Sequence, residues 1–213
     1  MREELYQWKY DLLAERMKSI LEKRAFEVYI AKSKDDLVNI IEKLIPEKSV
    51  VTTGGSLSVS ETGVLGLLRN RNYKFLDRGS AKSFEERMEI ELEAFRADFY
   101  LCSANAITED GKIVLLDGNG NRAAAVIYGP KNVVLIASIN KVVKNVEDAR
   151  ERLKFISPMN SKRLNLRTPC TITGTCHDCS SEQRICNYFL VIESSHRQSK
   201  RIKVVLTTFE LGL

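Results

Sequence analysis

The chain has 213 residues, of which 44% are hydrophobic and 29% are charged, and its formal net charge at pH 7 is +5. This length and composition favour one globular domain with a sizeable core and exclude a disordered chain. Acidic and basic residues are interleaved without a long basic block, so the charge does not imply a nucleic-acid partner and fits a small anionic metabolite equally well. No apolar run is long enough for a membrane span, and the charged N-terminal residues lack the apolar core of a signal peptide. We therefore expect a cytoplasmic protein.

The first half of the chain alternates between helical and strand patterns. Residues 2–24 carry apolar side chains near a 3.6-residue period, which predicts a helix. Residues 26–30 alternate as a strand does, and Ser33 is placed to cap a second helix. The other predicted elements of this half are strands at 49–52, 74–76 and 99–103 and helices at 59–69 and 83–95.

The second half continues the alternation. The predicted elements are a turn at 105–111, a strand at 112–116, a glycine loop at 117–121, a short helix at 122–128, an apolar strand at 132–137, a helix at 146–155, a second short helix after Pro158, a cysteine loop at 168–187, and closing strands at 188–193 and 201–207. The alternation predicts a single α/β domain over 1–213, with a mainly parallel sheet flanked by helices and residues 1–47 as an N-terminal helical and strand segment.

Four of the five cysteines fall within seventeen residues of the cysteine loop, among glycine, proline and charged residues. They are Cys170, Cys176, Cys179 and Cys186. Four thiolates in one loop favour a zinc or iron–sulfur centre, and the spacing does not decide between the two. Three alternatives stay open: disulfides, a redox pair at Cys176 and Cys179, and buried structural thiols of the kind expected for Cys102.

Three segments that follow predicted strands carry candidate ligand-binding residues. The run Thr53-Gly54-Gly55-Ser56 joins a strand to a helix, where backbone N–H groups bind anions. Asn105 and the small Ala106 come next, with a hairpin turn at 109–111 as the plainer interpretation. The third segment contains Gly118, Gly120, Asn121 and Arg122, whose guanidinium suits a carboxylate or phosphate.

Parallel strands would bring these three segments to one cleft. Gly55, Ser56, Asn105 and Arg122 should then be neighbours, with Glu61 and Glu109 nearby. If 109–111 is a hairpin, however, the strand at 112–116 runs antiparallel, and we expect the loop after it to leave at the opposite edge.

The same runs resemble the lactate-utilization (LUD) domain family. The resemblance rests on Thr53-Gly54-Gly55-Ser56, on the run 103–111, on Gly118-Asn119-Gly120-Asn121-Arg122 and on Tyr128-Gly129-Pro130. The tail, with Pro169-Cys170 and the cysteines after it, is similar to the cysteine-bearing branch of that family. The resemblance covers nearly the whole chain.

The resemblance implies a fold similar to the superfamily of glucosamine-phosphate isomerase, ribose-phosphate isomerase and CoA-transferase. It also implies a link to oxidation of L-lactate or a related 2-hydroxy acid, with iron–sulfur oxidoreductase partner proteins. The run Glu109-Asp110-Gly111 is similar to an acidic motif of the isomerases, but Lys112 follows where those enzymes commonly have His.

Two functions of different classes follow. One is an oxidoreductase component that depends on a metal or iron–sulfur centre, because the chain has no nicotinamide or flavin fingerprint. The other is an isomerase or a transferase that acts on a phosphorylated or CoA-linked metabolite, with Glu61 or Glu109 as base or nucleophile, or else a protein that binds such a metabolite without catalysis. The oligomeric state is open, and a homodimer is compatible with the sequence.

Overall fold

The computed structural model describes residues 1–213 and contains two β-sheets and eight α-helices. The helices are α1 (Arg2–Lys23), α2 (Lys34–Leu44), α3 (Leu57–Ser60), α4 (Val64–Asn70), α5 (Phe84–Glu93), α6 (Asn121–Ile127), α7 (Val146–Arg163) and α8 (Cys170–Thr173). The strands are β1 (Glu27–Ala31), β2 (Val50–Thr53), β3 (Lys74–Leu76), β4 (Phe99–Cys102), β5 (Ala106–Thr108), β6 (Ile113–Asp117), β7 (Asn132–Ser138), β8 (Val142–Val143), β9 (Tyr188–Ile192) and β10 (Ile202–Thr207). No helix combines the length and the apolar character that crossing a bilayer requires.

The larger sheet has six strands in the order β1-β10-β7-β4-β2-β3, and every neighbouring pair is parallel. The apolar run of β7 lies near its centre. Val133 and Leu135 point to a core shared with α1 and α6, whereas Val134 and Ile136 point to a core shared with α2, α3 and α4. Burial on both faces explains why this strand is a continuous apolar run, and the predicted helix-flanked parallel sheet is confirmed.

The smaller sheet has four strands in the order β8-β5-β6-β9. Strands β5 and β6 form an antiparallel hairpin, and β6 also pairs antiparallel with β9. The sequence prediction of a turn over 105–111 was too long, since β5 occupies its middle and only 109–111 turn the chain. Gly111 has φ +88° there, a conformation that favours glycine. The two closing strands lie in different sheets, β9 in the smaller and β10 in the larger.

Two predicted helices differ in the structure. The helix expected at 59–69 is divided into α3 and α4 by a bend at Thr62 and Gly63. Conversely, the helix break expected at Pro158 is absent, and α7 continues through this residue. Proline removes one helical hydrogen bond, but Leu153, Ile156 and Pro158 itself are buried as α7 packs on β5 and β6. Tertiary packing therefore outweighs the local cost.

Strands β2, β4 and β7 are parallel neighbours or next neighbours, so their carboxyl ends meet at one edge of the larger sheet. The segments that follow them begin at Gly54, Ser103 and Ile139. Ligands of open α/β sheets bind at such an edge. The fold thus concentrates three chain segments from distant parts of the sequence at one place.

The core around β7 predicts a large difference between two leucine substitutions. Leu135→Ala removes a fully buried side chain, and we expect it to lower the free energy of unfolding by about 2–5 kcal/mol. Leu5→Ala is the matched control, because Leu5 is 60% exposed on α1. Urea unfolding followed by circular dichroism measures both. Equal losses in the two variants would contradict the core described here.

Candidate functional site

A cleft of about 480 Å³ lies at the carboxyl edge of the larger sheet. Its walls come from Gly55 and Ser56, the glycine loop at 117–121 with Arg122 after it, the end of α7 and the second half of the cysteine loop. Its basic lining side chains are Arg78, Arg87, Arg122, Lys141, Arg163 and Arg184. Its acidic lining side chains are Asp117 and Glu182. Five arginines against two carboxylates favour an anionic ligand.

Arg122 joins the two sheets at the floor of this cleft. Its Nη1 donates to the carbonyl oxygen of Ser103 after β4 at 3.1 Å, and its Nη2 donates to the carbonyl oxygen of Leu116 in β6 at 2.9 Å. Its Nε also donates to Asp117 Oδ1 at 2.7 Å. Every nitrogen of the guanidinium already donates to an acceptor within the protein. Arg122 therefore holds the cleft walls in place and has little capacity left to bind a ligand.

Asn105 is held in the same network. Its Oδ1 accepts from Arg122 Nη2 at 2.7 Å and from the backbone N–H of Leu116 at 3.0 Å. Asn105 also lines the cleft. With the amide oxygen committed to this network, the amide nitrogen of Asn105 is the end left to donate to a ligand.

The glycine turn approaches two side chains closely. A Cβ on Gly54 would lie 2.7 Å from the Tyr100 hydroxyl, and a Cβ on Gly55 would lie 2.9 Å from Arg78 Nη1. Neither glycine has a positive φ. Lack of room for a side chain, and not backbone conformation, therefore explains why glycine occupies both positions. The Arg78 guanidinium, which also pairs with Glu91 at 2.7 Å, therefore lies against the turn and adds charge beside its backbone.

Lys141 is a site residue that the sequence analysis missed. It follows β7 and is only 4% exposed, and its Nζ lies 2.7 Å from Ser58 Oγ and 3.0 Å from Ser103 Oγ. Burial and, to a smaller extent, the nearby Arg152 and Arg122 lower the pKa of Lys141 to about 7, although Glu61 raises it. The only local signal was a lysine three residues after the end of an apolar strand.

The four clustered cysteines border a second, small cavity of about 20 Å³, which we call the thiol cavity. All four are free and half-buried. Burial raises the pKa of Cys186, and the neighbouring Cys176 and Cys170 raise it further. The thiols share this cavity, but no group of three or more His, Cys, Asp or Glu side chains in the chain is arranged to hold a metal ion.

The cleft and the thiol cavity share a wall. Arg184 and Ile185 line both. A Cβ on Gly118 would lie 3.2 Å from the Ile185 Cα, and Asn187 Nδ2 donates to the Gly118 carbonyl oxygen at 2.9 Å. Arg184 donates to the carbonyl oxygens of Cys179 and Cys186. The glycine loop thus packs directly on the cysteine loop.

The structure brings together some of the predicted site residues and not others. Those that line the cleft are Gly55, Ser56, Asn105, Gly118, Asn121 and Arg122. Those outside its lining are Thr53, Gly54, Ala106 and Gly120. Thr53 and Gly54 are buried at the end of β2, Ala106 is buried in β5, and Gly120 has φ +77° where α6 begins.

The two predicted catalytic carboxylates are separated from the cleft. Glu109 lies at the hairpin tip, where it pairs with Arg16 at 3.2 Å and is half exposed. Glu61 Oε2 accepts from the backbone N–H of Gly212 at 2.6 Å and does not line the cleft. The expected exit of the glycine loop at the opposite edge was wrong, because an antiparallel hairpin returns the end of β6 beside Asn105, where β5 begins.

Comparison with known proteins gives the family. The profile of the LUD domain matches residues 14–207. The chain belongs to the LUD domain family. A comparison with curated protein sequences finds no match.

Two solved structures resemble this LUD domain. A DUF162 family protein from Deinococcus radiodurans is 14% identical, with 93% of this chain and 98% of that chain covered and a TM-score of 0.52. A 5-methylthioribose 1-phosphate isomerase from Pyrococcus horikoshii is 12% identical, with 89% of this chain and 52% of that chain covered and a TM-score of 0.34. The first likeness supports the fold alone. The second is too weak to support any conclusion about this chain.

The Arg122 network predicts a strong effect on stability. Arg122→Met leaves Asp117, which is 7% exposed, without its guanidinium, and we expect a loss of about 3 kcal/mol or more in the free energy of unfolding. Arg163→Met is the control, since Arg163 lines the same cleft without an acidic partner, and we expect a change below about 0.5 kcal/mol. Chemical denaturation compares them. Equal effects would mean that Arg122 does not hold the cleft together.

Proposed function

We propose that the cleft binds a small anionic 2-hydroxy acid, with L-lactate as the first candidate, and that this LUD protein takes part in its oxidation. The observation that carries the proposal is the shared wall between a cationic cleft and a cavity bordered by four thiols. Membership of the LUD domain family supports the same class of substrate.

The charge of the cleft supports a carboxylate ligand. Arg163 lines it without forming an ion pair, and its Nε donates only to Asn160 Oδ1 at 2.9 Å. A guanidinium that lacks an acidic partner is well suited to grip a carboxylate with two parallel hydrogen bonds. The Asn105 amide nitrogen is then available for the hydroxyl of the same substrate.

The types of residue that border the thiol cavity support a metal or iron–sulfur centre there. Four cysteines are the donor set that both kinds of centre use, and all four border one cavity. A bound iron–sulfur cluster would supply the redox chemistry that the side chains lack, whereas zinc is redox-inactive and would leave electron transfer to an iron–sulfur partner protein. Arg184, between the two cavities, would place positive charge beside both the thiolates and the substrate.

A second candidate function rests on the size of the cleft. About 480 Å³ exceeds what a three-carbon acid fills, and ligand pockets of about 300–1,000 Å³ commonly hold larger metabolites. A phosphorylated or CoA-linked metabolite would use more of the volume and more of the five arginines. This alternative makes the protein an isomerase, a transferase or a binding protein.

Anion binding is the first prediction of the proposed function. Arg163→Met removes a charged donor, and we expect it to weaken L-lactate binding about tenfold, which corresponds to roughly 1.5 kcal/mol. Lys131→Met is the control, because Lys131 lies 75% exposed outside the cleft. Isothermal titration with L-lactate, D-lactate and a sugar phosphate compares both variants with the wild type. Tight binding of the sugar phosphate alone would favour the second candidate, and binding of none would refute both.

Metal content is the second prediction. Serine at Cys170, Cys176, Cys179 or Cys186 should each lower the iron or zinc retained after anaerobic purification, because each removes one thiolate ligand. Cys102→Ser is the control, since Cys102 is fully buried in β4 away from the thiol cavity, and its metal content should match the wild type. Elemental analysis with visible absorption reads the outcome. The same metal content in all five variants would refute the assignment.

A further inference from the structure

Three buried polar side chains meet below the cleft, and the proposed function does not use them. They are Ser58, Ser103 and Lys141, which follow β2, β4 and β7 at the carboxyl edge of the larger sheet. Lys141 Nζ lies within hydrogen-bond distance of both hydroxyls, and the two hydroxyls lie 3.3 Å apart. All three line the cleft although each is at most 4% exposed. The amine therefore faces the ligand space from a nearly dry position.

The surroundings of Lys141 favour an uncharged amine. Its hydrogen-bond partners are hydroxyl and carbonyl oxygens and not carboxylates. Arg122 of α6 and Arg152 of α7 place positive charge near it, opposed by Glu61 after α3. Gly212 covers the group from above, since a Cβ there would lie 3.2 Å from Lys141 Nζ and would overlap Ser58 Oγ. Desolvation and neighbouring cations are the two means by which proteins make a lysine nucleophilic. The pKa of about 7 agrees with this environment.

We propose that Lys141 is the amine nucleophile of the cleft and forms a Schiff base with the carbonyl carbon of a bound 2-oxo acid. The inference rests on the proposed function, because a 2-oxo acid is what oxidation of a 2-hydroxy acid yields and its carboxylate would occupy the same cationic cleft. The two hydroxyls beside Nζ are placed to carry the protons that the reaction moves.

The step balances without any oxidant. The Nζ lone pair attacks the carbonyl carbon, a C–N bond forms, and one proton passes from nitrogen to the carbonyl oxygen, which gives a carbinolamine. The second nitrogen proton passes to the same oxygen as the C–O bond breaks, so that one water leaves and the C=N bond forms. Ser58 and Ser103 accept and return protons at Nζ and at the departing oxygen.

Reductive trapping tests the proposal on the whole protein. Pyruvate is added with cyanoborohydride, and intact mass and peptide mapping locate the adduct. We expect one adduct per chain, on Lys141, that is absent from Lys141→Met and retained in Lys144→Met, a control with an exposed lysine three residues away. Circular dichroism verifies that both variants fold. Because the wild-type map alone identifies the modified lysine, the result does not depend on the variants.

The pH dependence separates Lys141 from ordinary surface lysines. Between about pH 6 and pH 8 the trapping rate should rise roughly tenfold for an amine with a pKa near 7, and roughly 100-fold for one near 10.4. An adduct spread over surface lysines with the steeper dependence would overturn the proposal.

Titration with pyruvate distinguishes failure of the Lys141 Schiff base from failure of the proposed function. If pyruvate binds in the cleft but no adduct is trapped on Lys141, the Schiff base is wrong and the proposed function stands. If the cleft binds neither pyruvate nor L-lactate, both are wrong.

Discussion

The buried Arg122–Asp117 pair is the interaction on which the cleft depends. Through it, the carboxyl end of β4 in the larger sheet is tied to the end of β6 in the smaller sheet, and the start of α6 is fixed because Asp117 Oδ2 accepts from the Ala123 backbone N–H at 2.6 Å. A charge pair this well buried is stable only when its remaining hydrogen bonds are satisfied, as they are here. The cleft walls are therefore fixed relative to one another before any ligand arrives.

The glycines and the cysteines of this chain are parts of one arrangement. Gly118 lets the glycine loop approach the backbone of Ile185, and Asn187 then anchors the end of the cysteine loop to the same carbonyl group. Any centre held by the thiols would lie directly behind the wall that faces the substrate. Short separation between a substrate site and a redox centre is what electron transfer between them requires, and that geometry links the two halves of the proposed function.

The sequence predicted well those elements whose burial leaves a local pattern. The apolar run of β7 and the Ser33 cap of α2 were read correctly, because burial on both faces and a side-chain cap each fix the neighbouring residues. The short strand β5 was missed, since three residues between two loops carry no period, and the division into two sheets has no local signal at all. The helix break predicted at Pro158 was wrong, because the packing of α7 outweighs the hydrogen bond that proline removes.

The candidate site was predictable only where it follows a strand. Gly55, Asn105 and Arg122 were found because each comes just after a strand, and the structure places all three on one cleft. Lys141 and Arg163 were missed, because the burial of one and the position of the other depend on segments distant in sequence. The roles of the thiols stay predictions, since spacing shows that cysteines cluster but not what they bind.

A crystal structure of anaerobically purified protein with L-lactate tests the central claim most directly. The account predicts an anomalous scattering peak at an iron or zinc edge between the four thiols, together with L-lactate in the neighbouring cleft against Arg163 and Asn105. Well-ordered cysteines without an anomalous peak, or L-lactate bound away from this cleft, would contradict it.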